Sequence, residues 1–427
     1  MTAVLTAVGR WDSQVATALE ASNQVQIARR CADLADLLAT AAAGLGAAAM
    51  VSDDLRGLDL SAVARLHVVG MHVVGLSAPD DEGAERRLRQ MGITTVVPAG
   101  SALPLLEAAL LSSSATTHLG PGSGRDGWPE DPVTQNGQDV PGGDAAAYGD
   151  DGPGSLGRII AVWGPTGAPG RTTVAVNIAA ELAAVGVSTA LVDADTYGGS
   201  VAQALSLLDE APGIAAAARA ADQGTLDLPA LARLAPEVGR GMRVITGIPK
   251  AERWPEIRPA ALERILALSR SLAEVVVVDC GFNLEDDEEL SYDTVAPRRN
   301  AATLTTLSLA DEVLAIGTCD PVGLQRLVRG LQELGTVASP SPRVVVNRVR
   351  SRSVGSRPES RVAEALARFA GVEQVDFVPD DPQALDDAMR EGRTLAECAP
   401  ASPARNALRV LAASVAGLPV ASRRRSR

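Results

Sequence analysis

Short apolar runs alternate with helical repeats over the first 111 residues of the chain. Runs rich in Val, Ile and Ala predict buried strands at residues 4–8, 25–28, 47–51, 72–76 and 94–97. Between them, apolar side chains recur every three or four residues, which predicts helices at 11–21, 33–43, 60–68, 82–91 and 102–110. Strands that alternate with helices form parallel sheets with helices on both faces. The pattern therefore predicts a doubly wound α/β domain of flavodoxin-like order over residues 1–111.

The pattern changes sharply at residue 112. Residues 112–157 are rich in Gly, Pro, Ser and Asp and contain almost no branched apolar side chains. Such a segment cannot bury enough apolar surface to offset its loss of conformational entropy, so we predict a disordered linker. A second doubly wound α/β pattern runs over residues 158–418, and a short basic tail follows at 419–427. A chain of 427 residues is long enough for these two domains.

A glycine-rich loop follows the first strand of the second domain. The strand covers residues 158–163, the loop reads GPTGAPGRTT over 164–173, and a helical repeat comes next. A loop in this context cradles phosphate groups with backbone N–H groups and with the N-terminus of the helix. We expect nucleotide phosphates to contact Gly167, Ala168, Pro169, Gly170, Arg171, Thr172 and Thr173. The alternative is a glycine-rich turn with no ligand.

Further strand ends in this domain carry residues that suit a nucleotide site. The sequences are LVDADTYGGS (191–200), VVVVDCG (275–281), VVVNR (344–348) and VPDD (378–381). Asp193 and Asp279 are expected to hold Mg²⁺ together with Thr172, because this ion prefers hard oxygen ligands. Asp195 is the candidate that orients an attacking water molecule. A strand that ends in aspartate is common, but these motifs in this order are specific together.

The motifs resemble the MinD/ParA family of deviant Walker A ATPases over residues 158–418. The family loop reads Lys-Gly-Gly-x-Gly-Lys-Thr-Thr. Thr166 therefore stands at the signature lysine of the family, which reaches across a nucleotide-sandwich dimer, and Arg171 stands at the Walker lysine. Arginine keeps the charge but not the compact shape of lysine. The loss of both lysines predicts a weak ATPase or none.

The resemblance also implies ligands and an assembly. It implies ATP and Mg²⁺ as cofactors, a homodimer that forms on ATP binding, and Asp195 as the residue that activates water. Asn347 matches the adenine-binding asparagine of the family, and Arg348 follows it. Pro379 lies on the loop that flanks the base.

The first domain resembles the receiver domains of response regulators but lacks most of their phosphorylation residues. Asp53 follows the third strand, where a receiver carries its phosphoacceptor. Gly9 and Arg10 stand where a receiver needs an acidic pair for Mg²⁺, and Pro98 and Ala99 where it needs a lysine. Without these groups the charge that develops in phosphoryl transfer is unscreened. We predict a pseudo-receiver that docks partners, with Asp53 as a helix or loop cap.

The order of pseudo-receiver, linker and MinD/ParA domain resembles the CpaE/TadZ branch of that family. Proteins of this branch localise and help assemble pilus secretion machinery at a cell pole, and actinobacterial relatives are described as septum-site-determining. The resemblance implies protein partners in a secretion, pilus or division apparatus. A nucleotide-binding scaffold that does not hydrolyse ATP and a DNA-partitioning ATPase are the alternatives.

Composition sets limits on location and partners. A net charge of −13 opposes general attraction to nucleic acid or anionic lipid. Six arginines between residues 343 and 361 form a local exception, which we interpret as a solvated loop rather than a polyanion site. Four scattered cysteines predict a reduced, cytoplasmic protein. No apolar run is long enough to span a membrane, so we expect any membrane contact to be peripheral, at the inner face or a cell pole.

Overall fold

The computed structural model describes residues 1–112, 156–207, 213–286 and 297–418. The predicted basic tail at 419–427 and most of the predicted linker lie outside these residues. The described residues form two sheets, each with helices packed against it. No helix among them combines the length and the apolar character needed to cross a bilayer.

The first sheet consists of five parallel strands. They are β1 (Thr2–Ala7), β2 (Val25–Arg30), β3 (Ala48–Ser52), β4 (His72–Ser77) and β5 (Thr95–Pro98). The helices are α1 (Asp12–Glu20), α2 (Leu34–Ala42), α3 (Leu60–Val68), α4 (Glu82–Gln90) and α5 (Leu103–Leu111). The strand order β2-β1-β3-β4-β5 is the flavodoxin-like order, which confirms the prediction for this domain.

Aspartate side chains fix the starts of three helices in this domain. Asp33, Asp59 and Asp81 each accept a hydrogen bond of 2.7–2.8 Å from the backbone N–H three residues later. Each bond satisfies a donor that the first turn of a helix leaves unpaired. Asp53 is not among these caps, because α3 begins at Leu60 and its cap is Asp59. The interpretation of Asp53 as a helix cap is wrong.

The second sheet contains eight strands. They are β6 (Arg158–Trp163), β7 (Thr189–Ala194), β8 (Glu237–Val238), β9 (Met242–Ile245), β10 (Val275–Cys280), β11 (Glu312–Thr318), β12 (Arg343–Val349) and β13 (Val375–Pro379). Their order is β13-β12-β11-β6-β10-β7-β9-β8. Neighbouring strands are parallel except for β8 and β9, which form an antiparallel edge.

Helices cover both faces of this sheet. They are α6 (Arg171–Ala184), α7 (Val201–Ala204), α8 (Gly213–Asp222), α9 (Leu228–Leu234), α10 (Pro259–Leu272), α11 (Ala301–Leu309), α12 (Pro321–Leu334), α13 (Ser351–Val354), α14 (Pro358–Ala370), α15 (Pro382–Glu391), α16 (Leu395–Cys398) and α17 (Pro403–Val415). Short 3₁₀ helices cover Gly9–Trp11 in the first domain and Ala251–Glu256 in the second. Together the two sheets confirm the predicted fold class of two doubly wound α/β domains.

Burial explains why the central strands read as unbroken apolar runs. Strands β7 and β10 are buried along their whole length, and β6 is buried after its first residue. A parallel strand covered by helices on both faces has no polar face to show to solvent. The last helix, α17, packs with α6 in one apolar cluster, so it belongs to the core. The carboxyl ends of β6, β7 and β10 meet at one edge, where open α/β sheets bind ligands.

Candidate nucleotide-binding site

The loop between β6 and α6 has the backbone shape of a phosphate loop. Gly167, Ala168 and Gly170 have φ angles of +108°, +53° and +98°. Left-handed residues next to right-handed ones form a concave nest of backbone N–H groups, and here the nest leads into the start of α6. Ala168 adopts this conformation although it has a Cβ atom, which costs about 1–2 kcal/mol for a residue other than glycine.

Asn347 holds the loop from the neighbouring strand β12. Its Nδ2 donates a hydrogen bond of 2.9 Å to the carbonyl of Pro169, and its Oδ1 accepts one of 2.8 Å from the N–H of Arg348. The Asn347 amide lies so close to Gly170 that any side chain at that position would collide with it. The residue is 4% exposed. The structure thus places Asn347 against the loop, with one amide N–H left over for a ligand.

Thr172 and Asp279 meet at the N-terminus of α6. The Thr172 hydroxyl donates a hydrogen bond of 2.5 Å to Asp279 Oδ2, and the Ser200 hydroxyl lies 3.3 Å from the Thr172 oxygen. The Asp279 side chain is fully buried, and its Oδ1 has no hydrogen-bond partner among the described residues. Burial first, and then the charge of Asp193, raise the pKa of Asp279 well above its ordinary value. A buried carboxylate oxygen without a partner, beside a hydroxyl and a phosphate loop, fits a cation.

Asp193 lies behind this pair at the end of β7. Its Oδ1 accepts a hydrogen bond from Asp195 N (3.2 Å), and its Oδ2 accepts one from Val201 N (3.1 Å). A Cβ atom on Gly247 would approach the Asp193 carboxyl carbon to 2.6 Å, so only glycine fits there. Burial is the main reason that the pKa of Asp193 rises to about 7. Both Asp193 oxygens already accept hydrogen bonds from backbone N–H groups. Asp193 is therefore better placed to support the site than to bind a metal ion directly.

No group of three or more His, Cys, Asp or Glu side chains in the described ranges is arranged to hold a metal ion by itself. Mg²⁺ commonly binds proteins through one or two carboxylates and completes its shell with water and substrate phosphates. The Thr172–Asp279 pair suits that mode of binding, in which the nucleotide supplies part of the coordination shell.

Arg171 forms an ion pair with Asp195, a contact that sequence analysis did not anticipate. Its Nη2 lies 3.0 Å from Asp195 Oδ2, and its Nη1 donates a hydrogen bond of 3.1 Å to the carbonyl of Gly164. The two side chains are only 12% and 6% exposed. The other Asp195 oxygen accepts hydrogen bonds from the N–H groups of Tyr197 (2.8 Å) and Gly198 (3.2 Å). The candidate water-orienting carboxylate is therefore fully engaged in this structure.

Aromatic and arginine side chains stack beside Asp195. The rings of Tyr197 and Phe282 have centroids 4.7 Å apart, and the Arg299 guanidinium lies 3.7 Å from the Tyr197 ring centroid. The Tyr197 hydroxyl donates a hydrogen bond of 2.6 Å to Asn300 Oδ1. This stack holds in place the segment that follows Asp195. In a chain with only three Tyr and three Phe, the positions of Tyr197 and Phe282 soon after two strand-end aspartates were a usable signal.

A small cavity of about 110 Å³ adjoins the loop. It is lined by residues 165–167 of the loop, by Thr318, by the start of α12 and by Arg326 and Arg348. The guanidinium of Arg326 lies so close to Gly167 that a side chain there would collide with it. Sequence analysis predicted Arg348 but missed Arg326, because no motif marks an arginine inside a helix.

The remaining predicted residues lie near the same edge. Pro379 ends β13 and pairs in register with Val349 at the end of β12, close to Asn347. Within the arginine-rich segment, Arg343 pairs with Asp376 at 2.6 Å and Arg350 with Asp380 at 2.8 Å. These internal pairs reduce the charge that the segment presents to an outside polyanion.

Comparison with known proteins gives a consistent picture. A model of the "CobQ/CobB/MinD/ParA nucleotide binding domain" family matches residues 160–395. An uncharacterised ATP-binding protein of Methanocaldococcus jannaschii is 24% identical over 259 residues, which are 60% of this chain and 87% of that protein.

Solved structures show a similar fold. A ParA family ATPase from Chlorobium tepidum is 17% identical, with a TM-score of 0.50 over 60% of this chain and 98% of its own. The cell division ATPase MinD of Pyrococcus furiosus is 19% identical, with a TM-score of 0.48 over 62% of this chain and 100% of its own.

Proposed function

Because this chain belongs to the CobQ/CobB/MinD/ParA nucleotide-binding family, we propose that it is an ATP-dependent spatial regulator that binds Mg-ATP at residues 167–173. The contact between Thr172 and Asp279 carries the proposal. It brings a hydroxyl and a buried carboxylate oxygen without a partner to the N-terminus of the helix that follows the phosphate loop. A glycine-rich turn without a ligand gives no reason for an uncompensated buried carboxylate at that position.

Each candidate residue has a defined role in this proposal. The backbone of residues 167–173 surrounds the phosphates, Thr172 and Asp279 hold Mg²⁺, and Asp193 supports them from behind. Bound Mg²⁺ neutralises phosphate charge. Asn347 and Pro379 frame the base, and Arg348 faces the nucleotide from the cavity beside the loop. Asp195 orients water once its carboxylate has separated from Arg171.

The finer assignment is to the CpaE/TadZ branch. It is supported by the order of the two domains, with a flavodoxin-like domain before the nucleotide-binding one. We propose that the first domain is a pseudo-receiver that docks components of a pilus, secretion or division apparatus. ATP binding would switch this affinity through a homodimer, at the inner face of the membrane or a cell pole.

A scaffold that binds ATP without turnover is the second candidate, and the Arg171–Asp195 ion pair favours it. Removing Arg171 from this pair would leave a nearly buried carboxylate without its counter-ion, which costs several kcal/mol in comparable cases. This cost opposes the release of Asp195 for hydrolysis. It does not oppose nucleotide binding through the backbone of the loop.

Titration with a fluorescent ATP analogue, with and without Mg²⁺, tests the proposal. We expect Mg²⁺ to increase the affinity of the wild type for ATP. Thr172→Ala should lower the affinity measured with Mg²⁺ about tenfold, equivalent to about 1.4 kcal/mol. Thr225→Ala, at an exposed threonine away from the site, is the matched control and should bind like the wild type. Failure of the wild-type protein to bind at millimolar nucleotide would rule out the proposed function.

Localisation in cells tests the proposed positioning role. A fluorescent fusion of the wild type should form a focus at a pole or septum, and Thr172→Ala should disperse it. A uniform signal from a wild-type fusion that still binds ATP would leave a nucleotide-binding protein without a positioning role.

A further inference from the structure

We propose that Arg326 on α12, rather than Arg171, is the cation that contacts the phosphate groups of the nucleotide. The inference rests on the proposed function, because it requires a nucleotide at residues 167–173. It adds a phosphate-binding residue that lies outside the loop motif.

The first reason is that Arg171 is already engaged. Its head group bonds to Asp195 and to the carbonyl of Gly164 on two sides, and its side chain is 12% exposed. Turning it toward a phosphate would exchange one carboxylate partner for another anion and leave Asp195 uncompensated. Arg171 is therefore better suited to hold the loop against β7 than to follow a ligand.

The second reason is the position of Arg326. Its guanidinium lies beside Gly167 of the phosphate loop, in the space that a side chain at residue 167 would occupy. The Arg326 side chain is exposed, and among the described residues it forms no ion pair. A guanidinium that lies beside a phosphate loop with free N–H donors can bind two phosphate oxygens at once.

The third reason is the charge of the adjoining cavity. Arg326 and Arg348 both line it, and Asp320 is its only carboxylate among the described residues. Asp320 is occupied, because it accepts hydrogen bonds from Thr318 Oγ1 (2.7 Å) and Gly323 N (3.0 Å) at the start of α12. A cavity of about 110 Å³ with two arginines and one engaged aspartate suits a phosphate group.

The phosphate has two sources with the same chemistry. It is either the terminal phosphate of the nucleotide in the same loop or that of a nucleotide held by a second copy of the chain. The same variants test both sources when they are assayed over a range of protein concentrations.

Three variants measure the role of Arg326. We expect Arg326→Ala to weaken Mg-ATP binding about tenfold, which corresponds to about 1.4 kcal/mol. Binding of adenosine, which has no phosphate, should not change. Arg326→Lys should recover part of the loss because it restores the charge. Arg329→Ala, at an exposed arginine of the same helix that does not line the cavity, should behave like the wild type.

The concentration series separates the sources. If the loss persists at concentrations where the protein is monomeric, the phosphate belongs to the same chain. If it appears only where dimers form, the phosphate belongs to the second copy. Equal Mg-ATP affinity of Arg326→Ala and the wild type at every concentration would overturn the inference and leave the proposed function standing. Absence of binding by the wild type would instead remove the proposed function itself.

Discussion

The two domains place aspartates at equivalent points of similar folds, but only one of these points resembles a site. Asp53 directly follows β3 at the carboxyl edge of the first sheet, and Asp279 is the second-last residue of β10 at the carboxyl edge of the second. Both are largely buried, and each has an Oδ1 atom without a hydrogen-bond partner. Burial raises the pKa of both groups.

Their surroundings differ in where the nearest arginine is held. Near Asp53 lies Arg10, whose Nη2 is 3.8 Å from Asp53 Oδ1 and whose Nε is 3.4 Å from Asp54 Oδ2. Near Asp279 there are a hydroxyl, a helix N-terminus and further carboxylates, and the nearby Arg171 is paired with Asp195 instead. A metal ion at Asp53 would have to displace a guanidinium, whereas at Asp279 it would relieve repulsion. A strand-end aspartate thus becomes a candidate site through the groups that face it.

The largest effect is expected from restoring the two lysines in the second domain. Thr166→Lys with Arg171→Lys should raise ATP turnover roughly 10²–10³-fold over a wild type near assay background. The compact ammonium group of a lysine at residue 171 can contact phosphate oxygens. It cannot bond to the Gly164 carbonyl and to Asp195 at once as the guanidinium does, so Asp195 becomes available to water. Phosphate release in a single-turnover assay measures the change.

Asp195→Ala in the lysine-restored background provides the control and should return turnover to background. Steady phosphate release by the wild type that is lost in Asp195→Ala would contradict the prediction. It would mean that arginine serves in place of lysine and that the ion pair opens readily.

The next largest effect is expected when the same substitution is made at Asp279 and at Asp53. Asp279→Asn should abolish the Mg²⁺-dependent part of ATP affinity, a loss of at least about tenfold, because it removes a charged metal ligand. Asp53→Asn makes the same chemical change in the first domain and should leave ATP affinity unchanged. An equal loss in both variants would mean that the substitutions act through stability and not through the site. Thermal unfolding of both variants checks this point.

Local motifs made much of this site predictable. The glycines and threonines of the loop form one local motif, and Asp193 and Asp279 each stand near the end of an apolar run. Topology then brings these separate segments together at one edge of the sheet. The partner of Arg171 was not predictable, because it depends on the side-chain rotamer and on the exact distance between the loop and β7. Arg326 was missed because it is a single charged residue on an amphipathic helix. The error over Asp53 has a similar cause, since Asp59 is an equally good cap and lies directly before the helix.

A smaller effect concerns the stability of the first domain. Burial raises the folded-state pKa of Asp53 above its ordinary value of 3.8, and Arg10 only partly opposes this. The folded state therefore binds the proton more tightly than the unfolded state, and stability falls as pH rises from about 4 through the folded-state pKa. Asp53→Asn mimics the neutral form, so it should unfold at a slightly higher temperature than the wild type at pH 7.

The difference between Asp53→Asn and the wild type should shrink as the pH is lowered toward 4, because the wild-type carboxyl group is then protonated in the folded state. Thermal unfolding at several pH values measures it. A variant that is less stable than the wild type at pH 7 would mean that the contact with Arg10 outweighs the cost of burial.

The smallest expected effect is none: Asp53 should not accept a phosphoryl group. Phosphoryl transfer needs a cation that screens the charge developing on the transferred group, and a metal ion usually provides it. Arg10 already occupies the space beside Asp53, and no lysine follows β5. Incubation with acetyl phosphate and Mg²⁺ followed by intact-mass measurement should therefore find no adduct on the wild type. A stoichiometric adduct that disappears in Asp53→Asn would show that the first domain is a working receiver, and that an arginine beside a strand-end carboxylate does not exclude chemistry there.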